Sequence, residues 1–331
     1  MFNNKSILIT GGTGSFGKHL IRTLLNQYQP ERLIVFSRDE LKQSEMQSEC
    51  SSPAMRYFLG DVRDKDRLYQ AMRNVDLVVH AAALKQVPAA EYNPMEFIRT
   101  NVLGAENVIN AAIANNVKKV IALSTDKAAN PINLYGATKL LSDKLFIAAN
   151  NIVGKNPTRF AVVRYGNVVG SRGSVIPFFK KLLDEHAKSL PITDLRMTRF
   201  WITLTQGVDF VIRSFARMQG GELFVPKIPS AKMVDLAQAM APGLAQHVIG
   251  IRPGEKLHEI MICSDNSFHT YEFVDHYVIA PAMPFSMSCD YTRNSLGEQG
   301  KPVGEGFYYS SNSNPHFFSV EELRCLQQAA V

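Results

Sequence analysis

The sequence is poor in cysteine and has no apolar run long enough to cross a membrane. Its 331 residues include four cysteines, Cys50, Cys263, Cys289 and Cys325, at spacings that match no zinc or redox motif. We therefore expect a reducing compartment, the cytoplasm, and no metal site. A transmembrane helix needs about 18 consecutive apolar residues, and the first ten residues do not form a signal peptide. We expect no membrane partner.

Charge of one sign is not concentrated in any segment either. The formal net charge is +6, but lysine and arginine are spread along the chain and no DNA-binding motif is present. We therefore expect no nucleic-acid partner, and a mild positive charge that helps solubility and can steer anionic ligands. The hydrophobic content of 46% is enough to build the core of one large domain or two.

The chain opens with a strand, a glycine-rich turn and a helix. The apolar run Ile7–Thr10 precedes Gly-Gly-Thr-Gly-Ser-Phe-Gly, and an amphipathic segment, 18–25, follows. Glycines let the backbone approach a pyrophosphate, and the helix N-terminus faces its negative charge. This context predicts a dinucleotide-binding turn. The residues predicted to contact the cofactor here are Gly11, Thr13, Gly14, Ser15, Phe16 and Gly17.

A P-loop is the competing interpretation of the same turn. The segment from Gly12 to Lys18 fits G-x-x-x-x-G-K, but His19 stands where a magnesium-binding serine or threonine is required. We therefore rank a nucleotide hydrolase below a dinucleotide-binding protein.

The second predicted strand, 32–36, ends in residues that bear on cofactor choice. An NAD-binding protein usually has an acidic residue here for the ribose 2′-hydroxyl. Ser37 and Arg38 come first in this chain, and Lys42 follows one helical turn later. A hydroxyl and two cations suit a 2′-phosphate, so we predict NADP. Asp39 keeps NAD as the less favoured alternative.

The next two predicted strands, 55–59 and 75–80, end at further candidate cofactor contacts. Asp61, followed by Val62, could accept a hydrogen bond from adenine or could cap the next helix. Ala81 and its small neighbours allow a cofactor to lie against the backbone, and Lys85 could meet phosphate or sugar. Strands and helices alternate every 25 residues or so, which predicts a doubly wound parallel α/β sheet of the Rossmann type.

The stretch from Ser124 to Lys139 carries the candidate catalytic residues. It follows an apolar strand, so Thr125, Asp126 and Lys127 lie at a strand end, where open parallel sheets bind ligands. Tyr135 and Lys139 are four residues apart and share a helix face. A nearby ammonium would lower the tyrosine pKa from about 10 and make it a base for a sugar hydroxyl. The alternative is a packing tyrosine with a solvated lysine.

Together these strings resemble the extended short-chain dehydrogenases/reductases and, more closely, the inverting UDP-N-acetylglucosamine 4,6-dehydratases. Enzymes of that family make the first intermediate of pseudaminic acid, a sugar found on bacterial flagellins. The similarity runs from about Lys5 to Phe318 and includes the strings 164–174 and 252–259. Retaining relatives usually carry methionine in place of Tyr135, and enzymes of the dTDP-glucose type carry glutamate in place of Lys127.

The resemblance implies a domain division and a substrate. The NADP-binding Rossmann domain would comprise residues 1–166 and 197–220, and a smaller α/β substrate-binding cap would comprise 167–196 and 221–331. The substrate would be UDP-N-acetylglucosamine, and the protein would form a homo-oligomer, from a dimer up to a hexamer. Asn167 could instead be a turn residue, and Arg252 and Glu255 could simply pair on the surface. The implied substrate-binding residues are Lys85, Asn167, Arg172, Thr193, Arg199, Arg252 and Glu255.

The resemblance also implies a mechanism. Tyr135 would take the O4 proton while hydride leaves C4, with Thr125 positioning O4 and Lys139 holding the cofactor ribose. Asp126 in its acid form would protonate the departing C6 hydroxyl. Lys127 would be the acid/base at C5, as a neutral amine whose pKa burial and Lys139 push down. The alternatives are a C5-retaining dehydratase, a 4-epimerase and a non-catalytic NADP-binding module.

Overall fold

A computed structural model describes residues 1–171, 173–283 and 289–328 of the chain. Arg172, predicted to bind substrate, lies outside these residues. The strands are β1 Ser6–Thr10, β2 Arg32–Ser37, β3 Met55–Leu59, β4 Leu77–His80, β5 Lys119–Thr125, β6 Arg159–Tyr165, β7 Asn167–Val168, β8 Ser189–Ile192, β9 Thr198–Ile202, β10 Leu223–Pro226, β11 Ser230–Lys232, β12 Ala245–Val248, β13 Ile260–Ile262, β14 Thr270–Glu272, β15 His276–Ile279, β16 Lys301–Pro302 and β17 Tyr309–Ser310.

Helices alternate with the strands through most of the chain. A π-helix, Ile98–Leu103, leads into α6, and short 3₁₀ helices span Asp126–Ala128 and Ser264–His269. None of the helices in the described residues is long and apolar enough to span a membrane. The α-helices are α1 Ser15–Gln27, α2 Glu40–Glu49, α3 Lys65–Ala71, α4 Val87–Tyr92, α5 Pro94–Phe97, α6 Gly104–Ala114, α7 Leu134–Ile152, α8 Val175–Asp184, α9 Leu204–Arg217, α10 Met233–Met240 and α11 Val320–Gln328.

A ten-stranded sheet forms the centre of the fold, in the order β16-β14-β15-β10-β6-β5-β4-β1-β2-β3. The strands from β3 to β10 in this order are parallel. All five residues of β1 are buried, as expected for a parallel strand with helices on both faces. Strands β2 and β3 follow β1 toward one edge of the sheet, and β4, β5 and β6 follow toward the other edge. The strand order therefore reverses between β1 and β4, and such a switch point is where open parallel sheets bind ligands. The predicted Rossmann-type α/β fold is confirmed.

The last strands of the sheet correct part of the predicted domain division. We predicted that everything from Gly221 belongs to the cap, but β10 pairs with β6, and β15, β14 and β16 extend the same sheet antiparallel. All four residues of β10 are buried, so this apolar run belongs in the main core. Strand β9 lies in the segment that we assigned to the Rossmann domain, but it pairs with β7 and β11 in a three-stranded sheet separate from the main sheet. The rest of the division stays a prediction.

The region opposite the glycine turn has smaller cores of its own. One is centred on the single tryptophan, Trp201, which is 1% exposed and packs with residues of α8 and α10 such as Ile176 and Leu236. A two-stranded parallel sheet, β8 with β12, borders a second small cluster around Phe179. Strands β7 and β9 carry Asn167 and Arg199, and Thr193 directly follows β8.

Candidate active site

The glycine turn forms a tight cradle at the C-terminal end of β1. Gly11 has a φ of +67°, and a Cβ atom there would lie 2.9 Å from the Cα atom of Ala82. Gly14 precedes α1 and provides no side-chain cap, so the first amides of that helix are open to a ligand. The turn therefore fits a dinucleotide pyrophosphate, with Ala81 and Ala82 close behind it.

His19, the residue that breaks the P-loop pattern, does not face the turn. Its Nε2 lies 3.1 Å from the Oγ1 of Thr205, at the start of α9. The side chain therefore packs between two helices and does not take the place of a magnesium-binding hydroxyl.

The end of β2 presents one exposed cation. Ser37 Oγ accepts a hydrogen bond from Gln43 Nε2 at 3.0 Å. Lys42 pairs with Asp39, whose carboxylate also accepts from the Lys42 backbone amide and so caps α2. Arg38 has 57% of its side chain exposed and lies 3.7 Å from Asp61. Arg38 is thus better placed than Lys42 to meet a ribose phosphate.

Asp61 does not cap the following helix, contrary to one of our two interpretations. Asp64 is the cap of α3, because its side chain accepts from the Arg67 amide. Asp61 accepts from Arg63 Nη2 at 2.8 Å, and these hydrogen bonds lower its pKa although partial burial opposes the change. Val62 beside it is buried. An ionised acceptor at this strand end suits an adenine amino group.

The strand β5 ends at Thr125 and passes directly into the 3₁₀ turn that holds two candidate catalytic residues. Thr125 Oγ1 donates to Asp126 Oδ1 at 3.0 Å, and Lys127 Nζ also donates to Asp126 Oδ1, at 3.1 Å. Asp126 is fully buried, and its Oδ2 has no hydrogen-bond partner within the described part of the chain. Asp126 and Lys127 therefore form a contact pair at the carboxyl edge of the sheet.

Helix α7 begins against this turn. A Cβ atom at Gly136 would lie 2.2 Å from the backbone oxygen of Lys127, so only glycine allows this approach. Tyr135 is 8% exposed and packs with Ala90 and Phe97. Lys139 is 4% exposed and donates to the Leu123 oxygen at 2.7 Å, which excludes the solvated lysine of the alternative interpretation.

The pKa directions support one of our three expectations and correct two. Burial raises the pKa of Asp126, which favours the acid form that we predicted. Burial also raises the pKa of Tyr135 to about 12, although Lys127 and a hydrogen bond with Thr125 act in the opposite direction. Burial outweighs these effects, and Lys139, which donates to the Leu123 oxygen, is not among the groups that lower the Tyr135 pKa.

Lys127 is the second correction. We predicted that burial and Lys139 lower its pKa. Burial does act in that direction, but the carboxylates of Asp126 and Glu259 outweigh it and raise the pKa. Glu259 Oε1 lies 3.2 Å from Lys127 Nζ, and a quarter of the Lys127 side chain is exposed. Lys127 is therefore an ammonium group in this structure.

Glu259 is the site residue that sequence reasoning missed. It is 2% exposed, it directly precedes β13, and its carboxylate also lies 3.7 Å from Arg199 and 3.9 Å from Lys256. It stands in the string 252–259, where Arg252 and Glu255 drew attention instead. A charged residue next to a short apolar strand was the available signal, but only the tertiary structure shows that it meets Lys127.

The predicted substrate-binding residues come from several segments. Lys85 lies near the catalytic turn, since burial and Lys127 both lower its pKa. Arg199 is buried and donates to the backbone oxygens of Thr198 at 2.8 Å and Lys256 at 2.9 Å. Its guanidinium therefore already holds the 256–259 segment. Asn167 lies in β7, and Thr193 follows β8.

Arg252 and Glu255 do not form the surface ion pair that we considered as an alternative. Arg252 is exposed, and Glu255 Oε2 is buried without a hydrogen-bond partner in the described residues. Their loop is tied to the catalytic helix, because the Gly254 oxygen accepts from Asn133 Nδ2 at 2.7 Å and Asn133 also caps α7. Both residues thus remain available to a ligand close to Tyr135.

Comparison with known proteins agrees with this geometry. A family described as polysaccharide biosynthesis protein matches residues 7–281. The chain belongs to this family. One relative in it is 64% identical over 98% of this chain and 97% of its own length, and is named UDP-N-acetylglucosamine 4,6-dehydratase (inverting), from Campylobacter jejuni.

Two further comparisons bear on the family and the fold. A protein named UDP-glucose 4-epimerase from Rickettsia akari is 44% identical over 84% of each chain. The X-ray structure of Pen from Bacillus thuringiensis matches with a TM-score of 0.90 and 39% identity, and covers 100% of both chains. The family model therefore covers most of the chain, and a solved structure of similar fold covers all of it.

Proposed function

We propose that the protein is a hydro-lyase, a UDP-N-acetylglucosamine 4,6-dehydratase that inverts C5. The observation that carries this proposal is the contact of Lys127 with the buried Asp126, next to the buried Tyr135, in a chain that also has a dinucleotide turn and is 64% identical to a protein of that name. The product is UDP-2-acetamido-2,6-dideoxy-β-L-arabino-hex-4-ulose. We assign this reaction to the first step of pseudaminic acid biosynthesis, in the cytoplasm.

The glycine cradle supports a nicotinamide dinucleotide as the cofactor. We propose NADP, since Arg38 is exposed at the end of β2 while Asp39 is engaged with Lys42. When bound, the cofactor accepts hydride from C4 and returns it to C6, so the net reaction is dehydration.

Tyr135 and its neighbours act on the C4 hydroxyl in this proposal. Tyr135 takes the O4 proton, and Thr125 holds the same oxygen by a hydrogen bond. Lys127 and Thr125 both stabilise the phenolate against the effect of burial. Lys139, fixed by Leu123, stands one helical turn from Tyr135 and positions the cofactor ribose.

Asp126 and Lys127 act on C6 and C5. Oxidation at C4 acidifies the C5 proton. A water molecule takes this proton, the C5–H electron pair forms the C5=C6 double bond, and the C6–O bond breaks. Asp126, kept in its acid form by burial, donates the proton that this hydroxyl needs. Lys127 donates a proton to C5 at the end of the reaction, and its raised pKa suits this role as a donor.

The proposed substrate contacts surround this group. Arg252, near the N-terminus of α7, is suited to a bidentate contact with phosphate. Glu255 offers a buried acceptor for ribose hydroxyls. We also propose that the chain works as a homo-oligomer, from a dimer up to a hexamer. The remaining proposed contacts are Lys85, Asn167, Arg172, Thr193 and Arg199.

The test is incubation with UDP-N-acetylglucosamine in deuterated water, followed by proton NMR. We expect a 4-keto-6-deoxy sugar with deuterium at C5 and couplings of the L-arabino configuration. The same product with C5 retained would move the protein to the retaining enzymes. UDP-N-acetylgalactosamine as the product would favour the 4-epimerase, the name carried by the 44% identical relative. Tyr135→Phe serves as the inactive control.

A further inference from the structure

Glu259 reaches the catalytic turn from a distant part of the sequence. Its Oε1 lies 3.2 Å from Lys127 Nζ, and only 2% of its side chain is exposed. Its Oε2 has no hydrogen-bond partner within the described residues, so the carboxylate is held by charge, with Arg199 and Lys256 as further cations. A buried carboxylate at this distance fixes both the position and the charge of the ammonium that it contacts.

Lys127 lies between two carboxyl groups whose pKa values shift in opposite directions. Burial raises the pKa of Asp126, and the nearby Glu259 raises it further. Burial opposes ionisation of Glu259 too, but Lys127, Arg199 and Lys256 outweigh this and lower its pKa. Carboxyl groups driven apart in this way take different roles, one as the acid and one as the permanent charge. These shifts favour the acid form of Asp126 and the ionised form of Glu259.

We propose that Glu259 is the positioning residue that keeps Lys127 a charged proton donor at C5 of the sugar and thereby fixes the C5 configuration of the product. The inference rests on the proposed function for its sugar chemistry, but the contact between Glu259 and Lys127 is independent of it. Glu259 acts through Lys127 and does not itself react.

The step at C5 follows the loss of water, which leaves a C5=C6 double bond conjugated to the C4 ketone. Hydride adds to C6, and the π electron pair of the double bond is left on C5 and the ketone oxygen. One Nζ–H bond of Lys127 then breaks, its electron pair stays on nitrogen, and the proton forms the new C5–H bond. The resulting amine regains a proton from water through the exposed quarter of its side chain. If Lys127 were already neutral, water could supply the C5 proton from either face.

The charge of Lys127 depends on every group that faces it, and Asp126 and Glu259 are the two carboxyl groups in contact with it. Burial raises the pKa of Asp126, whereas the cations around Glu259 outweigh burial and lower its pKa, so Glu259 is the more readily ionised of the two. The phenol of Tyr135 is neutral over the working pH range. The neighbouring cations oppose the ammonium, so removal of the Glu259 charge leaves Asp126 as the remaining carboxyl partner of Lys127. The titratable and charged groups around Lys127 are Asp126, Tyr135, Glu259, Arg199, Lys256 and Lys85.

The first arm of the test measures Lys127 without any substrate. Wild type, Glu259→Gln and Glu259→Asp are pulsed with acetic anhydride from pH 6 to 10, and acetylation of Lys127 is quantified by mass spectrometry. Loss of a charge partner within 4 Å shifts a pKa by about 1–3 units. We therefore expect Lys127 in Glu259→Gln to react about 10- to 1,000-fold faster at neutral pH. In Glu259→Asp, which keeps the charge at a greater distance, we expect a smaller increase of the same sign.

A matched control removes a buried carboxylate elsewhere. Glu222 is 3% exposed and accepts from the Gly220 amide at 2.8 Å, outside the catalytic group. Glu222→Gln should leave the reactivity of Lys127 unchanged. If Glu259→Gln does not fold, Glu259→Asp carries the test alone: its shorter side chain should give a shift of the same sign but smaller, and no shift would overturn the proposal.

The second arm follows the product in deuterated water over the same pH range. Because the donor must be protonated, C5 inversion in Glu259→Gln should be lost as pH rises through the lowered Lys127 pKa, and the C5-retained product should increase. Wild type should keep inversion across the range. Unchanged Lys127 reactivity together with unchanged stereochemistry would refute the role of Glu259. If wild type forms no 4-keto sugar while the reactivity shift is present, the proposed function fails and the charge contact stands.

Discussion

Replacement of Arg164 tests how the catalytic helix is held on the sheet. Arg164 in β6 lies 3.1 Å from Asp143 in α7, with side chains 4% and 2% exposed. Asp143 also accepts from Ser124 at 2.7 Å, and Arg164 donates to the Met261 oxygen at 2.9 Å. This pair therefore joins α7, β5 and the segment after Glu259 beneath the site.

The expected cost follows from burial. Arg164→Met leaves the Asp143 carboxylate without its cation in the interior, which typically costs about 3–5 kcal/mol. Asp143→Leu leaves the Arg164 guanidinium buried without its carboxylate, and the free energy of unfolding should fall by a similar amount. The double variant removes both charges, and we expect it to lose only about 1–2 kcal/mol, because apolar pairs of similar size often replace buried ion pairs without great loss.

Urea unfolding followed by tryptophan fluorescence measures these changes. Trp201 is the only tryptophan and is 1% exposed, so its emission reports loss of the folded state. With a slope near 3 kcal/mol per molar urea, each single variant should lower the midpoint by about 1–1.7 M. The exposed pair of Lys181 and Glu185 is the control, and Lys181→Ala should change stability by less than about 0.5 kcal/mol. Additive losses in the double variant would refute the reasoning.

Three further predictions concern the cofactor and the acid. In Gly17→Ala the new methyl group would lie 2.4 Å from the Gly12 oxygen, so we expect cofactor binding measured by calorimetry to be at least tenfold weaker. Unchanged affinity would contradict the assignment of the glycine turn as the cofactor site. Asp126→Asn should lower the rate of dehydration by about 10²–10⁴-fold but should still reduce the cofactor in a single turnover, measured by absorbance at 340 nm. Loss of both activities would indicate that Asp126 acts in the oxidation at C4. Arg38→Ala should weaken NADP binding by about tenfold and NAD binding little, a difference of about 1.4 kcal/mol, and equal losses would argue against NADP.

Local patterns in the sequence were sufficient for the cofactor half of the fold. The apolar runs that predicted the first and second strands correspond to β1 and β2, because a parallel strand buried on both faces is marked by composition alone. The glycine turn and the strand-end position of Thr125 follow from the same periodicity. Lys139 was predicted on the right helix face, but its carbonyl partner Leu123 was not predictable from spacing.

The errors all involve residues brought together from distant segments. The sign of the Lys127 pKa depends on Glu259, 132 residues away by their numbering, and no local pattern encodes that contact. The placement of β10 in the main sheet depends on its pairing with β6, and the short strands β14 and β15 join only through it. Such contacts follow from tertiary packing, whereas the sequence pattern describes only neighbours along the chain.

The shared sheet limits how this architecture can be divided and recombined. Because β10 covers one edge of β6 and itself carries β15, a protein truncated before Leu223 would expose the backbone of β6 along an apolar edge and would be prone to aggregate. The C-terminal half is therefore no exchangeable module. Hybrids that recombine relatives should keep β6, β10, β14 and β15 from one parent and exchange only loops at the rim of the sheet.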